Sequence, residues 1–213
     1  MKYLGFRNKF TKRKFLTLLT FNYRMINKKF IQQLKKNYQQ QEGERRQIIS
    51  LSNVVLHDSK RVIFSLHRDD VKKAEISLNE IEKLLKNLHK KFGFARVSEE
   101  GAYRAATEEY VEAKTFYLYK TGKKLDKIKE IQLSTESYLG GLSDLAGELV
   151  RLAVNQAAAG NFGEVKKAKQ AIDEIMAELV EFDMTGYMRT KYDQAKGHMR
   201  KMEQINYETE IRR

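Results

Sequence analysis

The sequence predicts an all-α protein, an antiparallel bundle of about six or seven long helices, on three observations. Across 213 residues there is no Pro and there are only 12 Gly, so the chain lacks the punctuation that strands and hairpins need. Lys, Glu, Gln, Leu and Ala, all good helix formers, are abundant. Apolar residues recur at spacings of three and four, the period of one helix face.

Each element follows from that period. A first long helix, about 28–68, carries Ile48, Leu51, Val55, Val62 and Leu66. Residues 70–92 keep Val71, Ala74, Leu78, Ile81, Leu85, Leu88 and Phe92 in unbroken register. The next helix, 98–120, has a seam of Tyr103, Ala106, Tyr110, Ala113 and Tyr117. Residues 134–159 follow with Tyr138, Leu142, Leu145, Leu149 and Leu152, and 163–182 with Val165, Ala168, Ile172, Ile175, Leu179 and Phe182. A last helix from about 186 carries Met188, Tyr192, Ala195, Met199 and Met202. Ser98 before Glu99 and Glu100, and Ser134 before Glu136, are the expected N-caps, with acids in the first turn. "TGKK" (121–124) and "GNFG" (160–163) supply turns. Stripes this regular commonly continue into partner helices, so a homo-oligomer is expected.

Composition narrows the function classes. A chain of this length, 41% apolar and 32% charged, can bury a real core. The absence of Cys excludes disulfides and thiolate metal sites and suits a reducing compartment. No apolar run approaches the roughly 20 residues of a membrane span. "KFLTLLTF" (14–21) is short for a signal sequence, and no small-residue cleavage site follows it. The expected address is therefore the cytoplasm, with no membrane partner.

The formal net charge of +13 is unevenly distributed. Residues 1–41 hold eleven Lys and Arg and no acid, which leaves 30 basic against 28 acidic residues, a net +2, in 42–213. A basic arm over 1–24, with interleaved Phe and Tyr, suits phosphate binding. A solvated tail, or a start upstream of a true beginning at Met25, are the competing readings. The rest, 25–213, reads as a single helical domain.

Against that background "EEYVEA" (108–113) places carboxylates among small and aromatic neighbours. At about 100° per residue, Glu109 and Glu112 share a face with Ala102, Ala105 and Phe116, beside the seam rather than among Lys and Arg. Glu108 points about 100° away from Glu109 and falls outside that pair. In "YLGGLSDLAGELVRL" (138–152), Asp144 and Glu148 lie one turn apart on the side that carries Gly140 and Gly141. Glycine inside a helix costs roughly 0.5–1 kcal/mol against alanine, so two in succession call for close approach of a backbone or a ligand. Four carboxylates on successive helices can converge on a hard divalent cation, Mg²⁺ or Mn²⁺, which takes oxygen ligands. From spacing alone, a solvated face or an ion pair with Arg151 also explains them.

Other candidates are less specific. His57 and His67 lie ten residues apart, poor spacing for joint ligation, and read as packing or hydrogen-bonded histidines. Lys120, Lys123, Lys124 and Lys127 follow the acidic helix and suit either a phosphate backbone or a solvated turn. Arg104, near the carboxylates, can steer phosphate or neutralise acids, and Arg151 is a further candidate for nucleic-acid contact. No Gly-rich phosphate loop, nucleophile elbow or zinc-ligand spacing is present.

The same stretches resemble the translin superfamily, from about residue 30 to the C-terminus. "RVIFSLHR" (61–68), "EEYVEAKTFYLYKTGK" (108–123) and "DLAGEL" (144–149) resemble the translin-associated factor X branch, whose helices carry "EYVEA" and "ADLTGEL" patterns. "RLAVNQAAAGNF" (151–162) and the ending "KYDQAKGHMRKMEQINYETEIRR" (191–213) sit closer to translin itself. The resemblance implies a helical protomer in a hollow, octamer-like shell that binds single-stranded RNA or DNA. It also implies Mg²⁺-dependent endoribonuclease activity in the factor X branch, whose acidic set translin's own subunits lack. Glu109, Glu112, Asp144 and Glu148 fall on those acids. The branch's long insertion is replaced here by "LDKIKEIQL" (125–133). The leading expectation is thus a metal-dependent endoribonuclease of single-stranded RNA, with Glu109, Glu112 and Asp144 on the metal and Glu148 ligating it or orienting the attacking water. Its rivals are a shell that binds nucleic acid without cutting it and a coiled-coil adaptor with no nucleic-acid role.

Overall fold

Residues 25–211 are described by the computed structural model, so the basic arm over 1–24 lies outside the described residues. All regular structure among the described residues is helical: α1 (Lys28–His67), α2 (Val71–Phe92), α3 (Phe94–Ser98), α4 (Gly101–Lys120), α5 (Thr135–Ala158), α6 (Phe162–Leu179) and α7 (Gly186–Ile211). No helix among the described residues is long and apolar enough to cross a membrane.

The chain separates into two compact units at Glu42 and Gly43. In the first, Asn27 caps the start of α1, its Oδ1 accepting from the backbone N–H of Lys29 at 3.0 Å. Phe30, Leu34 and Tyr38 recur every four residues on that segment and are exposed. The second unit, from Gly43 onward, holds the core. Within it α1 buries Ile48, Ser52, Val55, Ser59, Val62 and Leu66, one continuous stripe.

Helix α5 is the centre of the second unit, packed against α4, α6 and α7. The expected seam of α4 is buried throughout, from Tyr103 to Tyr117. Against α2, Tyr110 donates to Glu82 at 3.0 Å, and Lys114 meets the same carboxylate at 2.7 Å. Ser134 caps α5 as expected, accepting from the N–H of Ser137 at 3.1 Å. Gly122 (φ 66) and Gly160 (φ 77) make the turns after α4 and α5 in the left-handed region that glycine tolerates.

Two local readings need correction. Ser98 is not the cap of α4: it ends α3, and its hydroxyl donates to the carbonyl of Phe94 at 2.8 Å. Gly93, at φ 82, starts that extra turn, and Arg96 stabilises it by pairing with Glu100 at 2.8 Å. Phe182 lies beyond α6, which ends at Leu179, and is half exposed.

Helix α5 does not reverse the direction of α4. Thr107 on α4 meets Ser137 on α5 at 2.9 Å, and Val111, one turn further along α4, meets Gly141, one turn further along α5. The two helices therefore run parallel. The connection 121–134 makes this possible: 14 residues can span up to about 45 Å, more than the roughly 30 Å of α4. Its Ile128 and Ile131 are buried, and the N–H of Ile128 donates to the Tyr138 hydroxyl at 2.9 Å.

The expectation of close approach at Gly140 and Gly141 holds. A Cβ on Gly141 would stand 2.7 Å from Val111 Cβ and 2.8 Å from the carbonyl oxygen of Glu108. One on Gly140 would stand 2.3 Å from Glu108 Oε2. Gly197 on α7, by contrast, faces open space. Overpacking at Gly141→Ala should cost about 1–3 kcal/mol, outweighing the roughly 1 kcal/mol that alanine gains over glycine in a helix. Gly197→Ala should stabilise by about 0.5–1 kcal/mol. Urea midpoints measured on the two variants should therefore move in opposite directions; an unchanged Gly141→Ala would contradict the close packing.

Candidate functional site

Parallel packing sets the acid pairs of α4 and α5 side by side. Glu112 is buried at 7% exposure, and Glu109, Asp144 and Glu148 are partly buried around it. Each is close enough to raise the cost of charging Glu112. Burial first, then Glu109, Asp144 and Glu148, push the Glu112 carboxyl up to about 9, so it holds a proton at neutral pH. Among the described residues no Lys, Arg or His pairs with it.

The other three acids are each met by a base. Burial raises Glu109, opposed by Lys60 at 3.9 Å. Burial raises Asp144 also, opposed by a 2.5 Å hydrogen bond from Lys191. At Glu148 burial is outweighed by His67, whose Nε2 lies 2.5 Å from Oε2, and by Arg151 at 3.5 Å; its carboxyl sits below the usual range and is ionised. The arrangement therefore combines a protonated, buried carboxyl with three ionised or ion-paired ones.

Several of these partners escaped sequence reasoning. Glu108, set aside by direction, is buried and meets Lys191 at 2.5 Å and the Tyr187 hydroxyl at 2.8 Å. Lys191 and Tyr187 stand one turn apart on α7, a spacing that shows they share a face but not what that face meets. His57 is exposed, whereas the His67 side chain is 4% exposed and packs on Phe116 with ring centroids 4.9 Å apart. His67 Nδ1 is buried without a hydrogen-bond partner.

The basic candidates are dispersed. Arg104 is exposed and lines a cavity of about 460 Å³ with Ser134, Ser137, Glu108 and Tyr187. Lys120 is drawn to Asp69 in an ion pair. Lys123 and Lys124 are exposed beside a separate cavity of about 990 Å³ against α5 and α6, where Lys123 lies 5.6 Å above the Tyr117 ring. Lys127 is exposed, and so is Arg151, which leans toward Glu148.

Hard oxygen donors, one of them a buried carboxyl without a counter-ion, fit Mg²⁺ or Mn²⁺ by chemistry. Among the described residues, no group of three His, Asp or Glu side chains is placed to hold a metal ion, and Lys191 and His67 engage Asp144 and Glu148.

These features define a class: a helical bundle with an acidic site shared by two parallel helices. The chain belongs to the translin family, which matches residues 43–213. An uncharacterised protein of Methanocaldococcus jannaschii is 28% identical over 165 residues, 75% of this chain and 73% of that one. Translin of Gallus gallus is 32% identical over 92 residues, 43% of this chain and 40% of that one. The translin-associated protein X homologue of Schizosaccharomyces pombe is 30% identical over 135 residues, 56% and 58% of the two chains. The chain thus spans well under two thirds of the latter two. Among solved structures, apo-NeC3PO superposes with a TM-score of 0.76 at 26% identity, covering 84% of this chain and 96% of that one. AfC3PO in complex with duplex RNA shares the fold, with a TM-score of 0.77 at 20% identity over 86% and 97%.

The raised Glu112 carboxyl has a consequence for stability. The folded state holds this proton more tightly than the unfolded chain, whose carboxyl has the ordinary value of 4.5. Stability is then full below 4.5 and falls as pH rises toward about 9, by up to about 1.4 kcal/mol per pH unit. Glu112→Gln should flatten that decline in urea unfolding from pH 5 to 9 with EDTA present; an identical slope in both proteins would contradict the assignment.

Proposed function

We propose that this chain is a metal-dependent endoribonuclease that binds and cleaves single-stranded RNA, working as a homo-oligomeric shell of the translin type. The observation that carries the reading is the gathering of Glu109, Asp144 and Glu148 around the buried carboxyl of Glu112. Their match to the acids of the translin-associated factor X pattern supports it, and a fold neighbour described in complex with duplex RNA supports its RNA-binding part.

Glu109, Glu112 and Asp144 would hold Mg²⁺ or Mn²⁺, with Glu148 beside them. A bound divalent cation supplies positive charge against the negative charge that grows on the phosphoryl oxygens during hydrolysis. Glu148 is the residue suited to orient the attacking water. Its Oε2 is held by His67 Nε2 at 2.5 Å and its carboxyl is ionised, so it can accept the water's proton. His67 fixes the direction of that carboxylate and is itself held against Phe116. Arg104, Lys123, Lys124 and Arg151 are the exposed cations available to position a strand, single-stranded DNA included. Lys120 serves the fold through Asp69.

The competing reading is binding without cleavage, which the engagement of Asp144 by Lys191 and of Glu148 by His67 favours. Labelled single-stranded and duplex RNA, incubated with Mg²⁺, Mn²⁺ or EDTA, separates the two. Wild type should cut single strands only with a divalent ion. Glu112→Ala should lower the rate about 100-fold or more while subunit assembly and RNA binding in EDTA persist. Wild-type rates from Glu112→Ala would sink the nuclease assignment.

Binding of the ion must displace the Glu112 proton, which links affinity to pH. Mn²⁺ affinity should rise as pH climbs toward about 9, with proton release visible by calorimetry in buffers of differing ionisation enthalpy. A pH-independent affinity would remove Glu112 from the ligand set.

A further inference from the structure

The most enclosed cation of the acidic site comes from α7. The Lys191 side chain is 15% exposed, and its Nζ lies 2.5 Å from both Asp144 Oδ2 and Glu108 Oε1. Tyr187, one turn earlier, donates to the same Glu108 oxygen at 2.8 Å, and its ring lies 5.5 Å beneath the ammonium. The Glu108 carboxylate occupies the space that Gly140 leaves for want of a Cβ. The field of Lys191 also reaches Glu109 and Glu112.

Buried carboxylates in this number need positive charge close at hand. A site with two divalent ions places them about 3.5–4 Å apart with carboxylates shared between them. Here one oxygen of Asp144 is already shared with an ammonium carried by the chain. We propose that Lys191 is the resident second cation of the acidic site, so that the site takes one divalent ion per chain rather than two. Lys191 is a positioning residue: it fixes Asp144 from the α7 side. This inference rests on the reading of the quartet as a divalent-cation site.

The test counts Mn²⁺ bound to the full-length protein by electron paramagnetic resonance and equilibrium dialysis, without RNA. Wild type and Lys191→Arg, which keeps the charge, should each bind one Mn²⁺ per chain. Lys191→Met should bind two. The double variant Lys191→Met/Glu108→Gln, free of the unpaired Glu108 charge, serves if Lys191→Met does not fold. It loses one charge of each sign and keeps Glu109, Glu112, Asp144 and Glu148, so it too should bind two Mn²⁺. Two ions on wild type, or a Lys191→Met or double variant that binds only one ion, would overturn the proposal. Failure of wild type to bind any Mn²⁺ would instead overturn the metal reading on which it stands. Mn²⁺ binding without RNA cleavage would refute the nuclease reading and leave Lys191 its role.

Discussion

Helices α4 and α5 can lie in close parallel contact because Gly141 presents no side chain to Val111 and the Glu108 carbonyl, and Gly140 none to the Glu108 carboxylate. The site depends on that contact. Two parallel helices share one rise per residue, so the register set by Thr107 with Ser137 and by Val111 with Gly141 brings Asp144 near the level of Glu112, with Glu109 about one turn before it and Glu148 about one turn beyond. An antiparallel pair would also meet, but it would need a short turn after α4. The 14-residue return over 121–134, pinned by Ile128, Ile131 and Tyr138, is what allows the second helix to start again at the first one's beginning.

Bringing carboxylates together in a half-buried place is unfavourable unless each charge is answered. The protein answers them in different ways. Lys191 serves Asp144 and Glu108, Lys60 lies beside Glu109, and His67 with Arg151 serves Glu148. Glu112, the most buried of the quartet, keeps a proton instead. The same feature that makes Glu112 a burden at high pH makes it receptive to a cation, because metal and proton compete for one pair of oxygens.

Reading direction around a single helix was sound as far as it went. Glu108 does point away from Glu109, yet α7 approaches from that side and draws Glu108 into the same electrostatic network through Lys191. Ser98 carried the signature of a helix cap, with two acids after it, but the positive φ of Gly93 inserted a separate turn first. Lys120 looked like one member of a basic cluster until Asp69, far away in sequence, claimed it. In each case the decisive neighbour sits on another element, and no local spacing names it.

What the sequence by itself determined was the set of helices, most of their ends, the buried seam of α4 and the need for close approach at the paired glycines. Those properties depend on periodicity, capping and backbone freedom, all of which act within a few residues. The tertiary structure alone decided that α4 and α5 run parallel, that α7 sends Lys191 and Tyr187 into the acids, and that His67 rather than Arg151 alone holds Glu148. Charge and hydrogen bonding act across space between residues as far as 81 positions apart, so their pairing is settled by packing.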